Sequence, residues 1–88
     1  MPYNREAIVE LRNAMGISQA GLGDLILKYA EINDLGQLIS TKSGINRIER
    51  GNRGINENVL DVLNMIAQDN GMANLKFYSP PENYKHPK

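Results

Sequence analysis

The chain has 88 residues, with ten basic and ten acidic side chains and no cysteine. This length fits one domain with a modest hydrophobic core, and the lack of cysteine excludes disulfides and thiolate metal sites. No stretch approaches the roughly 20 apolar residues that span a bilayer, and residues 1–15 lack the apolar run of a signal peptide. We therefore expect a cytoplasmic protein that does not bind membranes.

The first amphipathic helix is predicted to begin after Asn4, a residue type that favours the N-cap position. Three apolar side chains follow at helical spacing and would lie on one face: Ile8, Leu11 and Met15. Gly16 ends this pattern, as glycine commonly does at the C-terminus of a helix.

A second helix is predicted to begin after Ser18, a good N-cap. Its apolar residues follow the i, i+3, i+4, i+7, i+8 pattern of a packed helix: Leu22, Leu25, Ile26, Tyr29 and Ala30. Gly21 and Gly23 lie within the pattern, where each costs up to about 1 kcal/mol relative to alanine. Because glycine lacks a side chain, both permit the close approach of another backbone, and we expect a tight crossing with another helix.

Residues 32–40 show no clear periodicity, and three structures remain open for them. They could extend the second helix, form a separate helical turn, or be a loop. Asn33, Asp34 and Gly36 are residue types that favour breaks and turns.

Residues 41–53 form the segment that points most clearly to a function. They contain four basic residues and one acid, in a chain whose net charge is zero. Ile45 and Ile48 lie one helical turn apart, with Thr41 before them as a plausible N-cap and Gly51 after them as a helix end. A helix here would bury the two isoleucines and direct the polar residues outward: Lys42, Ser43, Asn46, Arg47 and Arg50.

A short helix that is apolar on one edge and cationic on the others has the chemistry of a DNA-reading helix. The plainer alternative is a cationic face that contacts only water. Zero net charge argues weakly against nucleic-acid binding. A phosphate responds to the local charge, however, and residues 41–53 carry +3.

The last predicted helix begins after Asn56 and has the same apolar pattern at Val59, Val62, Leu63, Ile66 and Ala67. Residues 75–78 then alternate apolar and mixed side chains, which predicts one short strand. Residues 79–88 are polar and proline-rich, and we expect them to be poorly ordered. A lone strand has no partner within the chain, so we expect it to pair with the same strand of a second copy and form a homodimer.

Four pieces of the sequence, in this order, resemble the lambda repressor/Cro-type helix-turn-helix family, also called the XRE family. They are Leu11-Arg12, Gly16-Ile17-Ser18-Gln19, Leu22-Gly23 and residues 45–51. The resemblance covers residues 4–70 and implies an all-α domain of four or five helices, with helices 2 and 3 as the helix-turn-helix. It implies a sequence-specific transcriptional regulator, in particular a repressor, that binds double-stranded DNA as a homodimer on a palindromic operator.

The connection between helices 2 and 3 departs from the family pattern. Between Ile26 and Ser40 the chain has about a dozen residues beyond the short turn of a helix-turn-helix. We therefore expect a lambda repressor-like domain at 1–73 with an enlarged connection, and a short extended tail at 74–88.

The resemblance also implies roles for individual residues. Arg12 on helix 1 would form a structural ion pair with Glu49, and Gln19 would contact a phosphate. Base contacts would come from Lys42, Ser43 and Asn46, since lysine can donate to guanine and an amide can pair with adenine. Arg47, Arg50, Asn52 and Arg53 would contact the phosphate backbone. The complete DNA-binding set is Gln19, Thr41, Lys42, Ser43, Asn46, Arg47, Arg50, Asn52 and Arg53.

Two other functions remain open. The chain could be the antitoxin of a toxin–antitoxin pair, with a toxin-binding surface at 27–39 or 74–88. It could also be a protein-interaction module that has kept the fold without DNA binding, which zero net charge favours. His86 is the only histidine, and there is no glycine-rich phosphate loop or obvious acid–base pair. We therefore expect no enzymatic activity, no metal site and no cofactor.

Overall fold

The computed structural model describes residues 3–52 and 54–78, and the secondary structure in these ranges is entirely helical. The all-α class is therefore confirmed. No helix in the described ranges is both long and apolar enough to cross a membrane. The predictions made for Arg53 and for residues 79–88 lie outside the described residues. The helices are α1 (Arg5–Met15), α2 (Gln19–Ile32), α3 (Lys42–Glu49) and α4 (Glu57–Asp69).

Each helix is preceded by a residue whose side chain caps it, as predicted. In all four cases the side-chain oxygen accepts a hydrogen bond from the backbone N–H three residues later, at 3.0–3.4 Å. Each cap satisfies one of the N–H groups that have no partner inside the helix. The capping residues are Asn4, Ser18, Thr41 and Asn56.

The core lies where the apolar faces of the four helices meet. α3 packs against both α1 and α2, and α2 also packs against α4. Ile45 and Ile48 of α3 are each 1% exposed, and full burial of such a side chain stabilises a fold by about 1.5–3 kcal/mol. The other large side chains in the core are Ile8, Leu11, Leu22, Ile26, Val59, Leu60, Val62, Leu63, Ile66 and Phe77.

The structure decides between the alternatives left open for the connection. α2 continues to Ile32, and residues 33–41 form a loop with no helix of their own. Three apolar side chains of this loop, Leu35, Leu38 and Ile39, are partly buried against the core. The loop is therefore anchored on the helices by these three side chains, and its end positions the start of α3.

Gly23 is the point on α2 where this loop makes its closest approach. A Cβ atom added at Gly23 would overlap with the carbonyl group of Ser40, whose carbon would lie 2.6 Å away. A backbone does approach α2 here, but it belongs to the loop, so the expected crossing with another helix is wrong. Gly21 has no such role, because an added Cβ would make only ordinary contacts of 3.4 Å with Ile17 and Ser18.

Replacing Gly23 with alanine tests this contact. We expect Gly23→Ala to lower the free energy of unfolding by about 1–3 kcal/mol, because the loop must move to admit the methyl group. Gly21→Ala is the matched control and should be neutral or stabilising by up to about 1 kcal/mol. Urea denaturation of both variants measures the difference, and equal stabilities would show that the Ser40 contact is unimportant.

The prediction of a strand at residues 75–78 is wrong. Residues 75 and 76 have no regular structure, residues 77 and 78 form a bend, and the Phe77 side chain is completely buried in the helical core. The Phe77 carbonyl accepts a hydrogen bond from the backbone N–H of Asn4 at 3.0 Å, and the Tyr78 hydroxyl donates to Asp61 Oδ1 at 2.6 Å. The segment has partners inside its own chain because a core was available for its aromatic side chain. The inference of a dimer from an unpaired strand loses its basis.

Ionisation of Tyr78 is expected to destabilise the fold at alkaline pH. Burial, followed by the hydrogen bond to Asp61, raises the pKa of Tyr78 to about 12 from an ordinary value of 10.0. A raised pKa contributes stability that is complete below pH 10 and is lost as pH rises towards 12. We expect Tyr78→Phe to lose less stability than the wild type over this interval. Urea denaturation midpoints of both proteins, measured below pH 10 and between pH 10 and 12, test this prediction. Midpoints that fall in parallel with rising pH in the two proteins would contradict it.

Candidate nucleic-acid interface

α3 has one buried face, and that face is entirely apolar. Gly44, Ile45 and Ile48 are buried against the neighbouring helices. At about 100° per residue, these three positions occupy one side of the helix. The opposite side is consequently directed away from the core.

The outward side of α3 carries the polar residues that the sequence places there. Four of them are exposed, Asn46 is partly buried, and none is acidic. Ser43, Asn46 and Arg50 lie nearly opposite the buried face, with Lys42 and Arg47 on either side of them. Thr41 and Asn52 are exposed at the two ends of the helix. The outward residues are Lys42, Ser43, Asn46, Arg47 and Arg50.

Glu49, the only acid among residues 41–53, forms an ion pair with Arg12 of α1. Arg12 Nε donates to Oε2 at 2.7 Å and Nη2 donates to Oε1 at 3.1 Å, which is the strong bidentate arrangement. The Glu49 side chain is only 7% exposed. The hydrogen bond to Glu49 raises the pKa of Arg12. The negative charge of Glu49 is therefore compensated and withdrawn from solvent.

Gln19 completes this contact, which we call the Glu49 junction (Arg12, Gln19 and Glu49). Its Nε2 donates to Glu49 Oε1 at 3.2 Å, so the amide expected to contact phosphate contacts a carboxylate in this structure. A primary amide has two N–H donors, and this bond uses one of them. Arg12 Nη1 also donates to the Ile17 carbonyl at 3.2 Å. The junction thus connects α1, the α1–α2 turn, α2 and α3.

Two residues at the start of the chain bind the C-terminal end of α3. The Tyr3 hydroxyl donates to the Ile48 carbonyl at 2.8 Å, and Arg5 Nη1 donates to the Arg50 carbonyl at 2.8 Å. Burial raises the pKa of Tyr3. A cation at a helix C-terminus also interacts favourably with the helix dipole. Neither residue was predicted from the sequence, because nothing local to them indicates partners 45 positions away.

The C-terminal segment supports this same end of α3 indirectly. Asn4 lies between Tyr3 and Arg5, and its backbone N–H donates to the Phe77 carbonyl. Buried Phe77 therefore fixes the backbone position from which Tyr3 and Arg5 reach α3. Both ends of α3 are thus held: the start through the loop on Gly23, and the end through these contacts.

No family model matches the chain, and comparison with curated proteins and with solved structures found no similar protein. Among the described residues, no three His, Cys, Asp or Glu side chains are grouped so that they could hold a metal ion. The feature with the clearest chemistry is the outward face of α3.

The Glu49 junction predicts a thermodynamic coupling. Removal of either partner by Arg12→Ala or Glu49→Ala leaves a partly buried charge, and each should cost about 2–4 kcal/mol of unfolding free energy. The double variant should cost clearly less than the two single costs added together. Urea denaturation of all four proteins measures the coupling. Glu10→Ala, which removes an exposed acid of α1, is the control and should change stability by less than about 0.5 kcal/mol.

Proposed function

We propose that this protein is a sequence-specific DNA-binding transcriptional regulator that inserts α3 into the major groove. The observation that carries the proposal is the division of α3 into a dry face and a polar, cationic face that has no acid. The major groove admits an α-helix, and each base pair presents a distinct pattern of donors and acceptors there. In this proposal α2 and α3 are the helix-turn-helix of a lambda repressor-like domain.

Local charge supports the proposal despite zero net charge. Lys42 and Arg47 of α3 and Arg50 at its C-cap are exposed, and a phosphate responds to this local field. The one acid that would repel a phosphate, Glu49, is paired with Arg12 and 7% exposed. The Glu49 junction therefore leaves the cationic character of α3 undiminished.

The rigidity of α3 also supports the proposal. An eight-residue helix is marginal by itself, and base recognition requires side chains at reproducible positions. The loop before α3 is longer than that of a short helix-turn-helix, but Ser40 lies directly on Gly23. The contacts from Tyr3 and Arg5 hold the other end. α3 can accordingly present fixed side chains in spite of its long connection.

The position of each residue suggests its role. Asn46 lies near the centre of the outward face, where its amide can pair with adenine, and Lys42 can donate to guanine. Arg47 and Arg50 can reach the phosphates on either side, which provides affinity without sequence information. Gln19 retains one N–H beyond its bond to Glu49, and this donor can bind a phosphate while the junction stays intact. Two copies on a palindrome would place half-sites about 34–36 Å apart.

A toxin-binding role is the second candidate, and one observation favours it. Within the predicted toxin-binding segment 27–39, Leu27 and Ile32 are 44% and 70% exposed. The rest of this segment packs Leu35, Leu38 and Ile39 against the core, so a partner would contact the end of the segment that belongs to α2. Co-purification of a small protein with the tagged chain from its native host would support this role.

A selection experiment tests DNA binding and finds the operator at the same time. Repeated selection from a pool of random duplexes should enrich a palindromic sequence, which is then used for fluorescence anisotropy at two salt concentrations. Arg47→Ala should weaken binding to selected and scrambled DNA alike and reduce the salt slope by about 1. Asn46→Ala should lower discrimination between the two DNAs by about 1–3 kcal/mol.

Lys76→Ala is the matched control, because it removes an exposed cation that lies outside α3. It should bind both DNAs as the wild type does. Absence of any enriched sequence, together with wild-type binding that does not change with salt, would overturn the proposed function.

A further inference from the structure

A second surface, separate from the outward face of α3, is an open groove between α2 and α4 with a volume of about 470 Å³. We call it the α2–α4 groove. Ile32 at its edge is 70% exposed, the most exposed of the large apolar side chains in the described ranges. Its walls include Leu25, Lys28, Tyr29 and Ile32 on α2, and Met65 and Asp69 on α4.

The spacing of the α2 residues shows that this helix has two apolar stripes. Leu22, Ile26 and Ala30 form the first and are completely buried in the monomer. Leu25, Tyr29 and Ile32 recur at i, i+4 and i+7 and form the second, which lines the groove. A helix with apolar residues on two faces normally packs against partners on both, and the second stripe is only partly covered by α4.

The charges of the groove are self-complementary. Lys28 lies on the α2 wall and Asp69 on the α4 wall. The Tyr29 hydroxyl donates to Asp69 Oδ2 at 2.6 Å, which orients the carboxylate and leaves Oδ1 available. In a two-fold interface, if one residue of the first copy contacts a second residue of the other copy, the reverse contact forms as well. Lys28 of one copy can therefore meet Asp69 of the other, and the reverse contact forms at the same time.

We propose that the α2–α4 groove is the interface between two copies of this chain. Ile32 of each copy enters the groove of the other, and the two Lys28–Asp69 pairs border the apolar contact. This surface takes the place of the strand predicted at 75–78, which instead packs onto its own chain. Dimerisation itself requires no DNA. The further inference that dimerisation lets the two α3 helices bind two DNA half-sites rests on the proposed function.

Sedimentation velocity over a wide range of protein concentrations tests the apolar part of the interface. The wild type should sediment as a dimer, and Ile32→Glu should weaken association at least about tenfold. Leu27→Glu is the matched control, because Leu27 is an exposed apolar residue of the same helix that does not line the groove. A monomeric wild type, or equal effects of the two variants, would overturn the proposal.

Charge reversal tests the two-fold geometry. Lys28→Glu alone and Asp69→Lys alone should each be monomeric, since each places like charges opposite one another in both contacts. An equimolar mixture of the two variants should form a heterodimer, because the two substituted residues then pair and Lys28 of one variant meets Asp69 of the other. An ion pair within one chain cannot produce this rescue. Circular dichroism verifies that both variants are folded, and a mixture that stays monomeric would contradict the geometry.

The dimer interface and the DNA-binding function can be refuted independently of each other. If α3 reads DNA, Ile32→Glu retains binding to a single half-site and loses only the additional affinity for a pair of half-sites. Lys42→Ala should leave sedimentation unchanged, whatever its effect on DNA binding. Loss of dimerisation with intact half-site binding would thus test the groove alone, and a normal dimer without DNA affinity would refute only the proposed function.

Discussion

The carboxylate of Glu49 is the contact on which the arrangement of the helices depends most. It accepts two hydrogen bonds from Arg12 and one from Gln19, so a single group connects α1, α2 and α3. A charge that is 7% exposed is stable only when it is paired and hydrogen-bonded. The same pairing removes the only negative charge of segment 41–53 from the surface. Stability of the fold and the cationic character of α3 therefore have one common cause.

α3 is stable because its neighbours hold it, since a helix of eight residues gains little from its own hydrogen bonds. At its start, the Ser40 backbone lies on α2 where Gly23 has no side chain. At its end, the Tyr3 hydroxyl donates to the Ile48 carbonyl and Arg5 donates to the Arg50 carbonyl. Buried Phe77 holds the backbone next to these residues. An event that displaced the C-terminal segment would consequently alter the end of α3.

The molecule distributes two kinds of chemistry over two surfaces. The outward face of α3 is cationic and polar, which suits phosphates and base edges. The α2–α4 groove combines apolar side chains with one charge of each sign, which suits a second copy of the same surface. α2 belongs to both, because its first half supports the Glu49 junction and its second half lines the groove. This division explains how a chain with zero net charge can combine a local cationic face with an apolar association surface.

Features that depend on residues within one helical turn could be predicted from the sequence. The caps at Asn4, Ser18, Thr41 and Asn56, the apolar stripes and the outward side of α3 are of this kind. The pairing of Arg12 with Glu49 could be predicted only through a family resemblance. Tertiary structure alone decided that Ser40 lies on Gly23, that Tyr3 and Arg5 bind α3, and that Phe77 enters the core. The physical reason is that a cap has its partner three residues away, whereas these groups have many possible partners, and the packing of the whole chain selects among them.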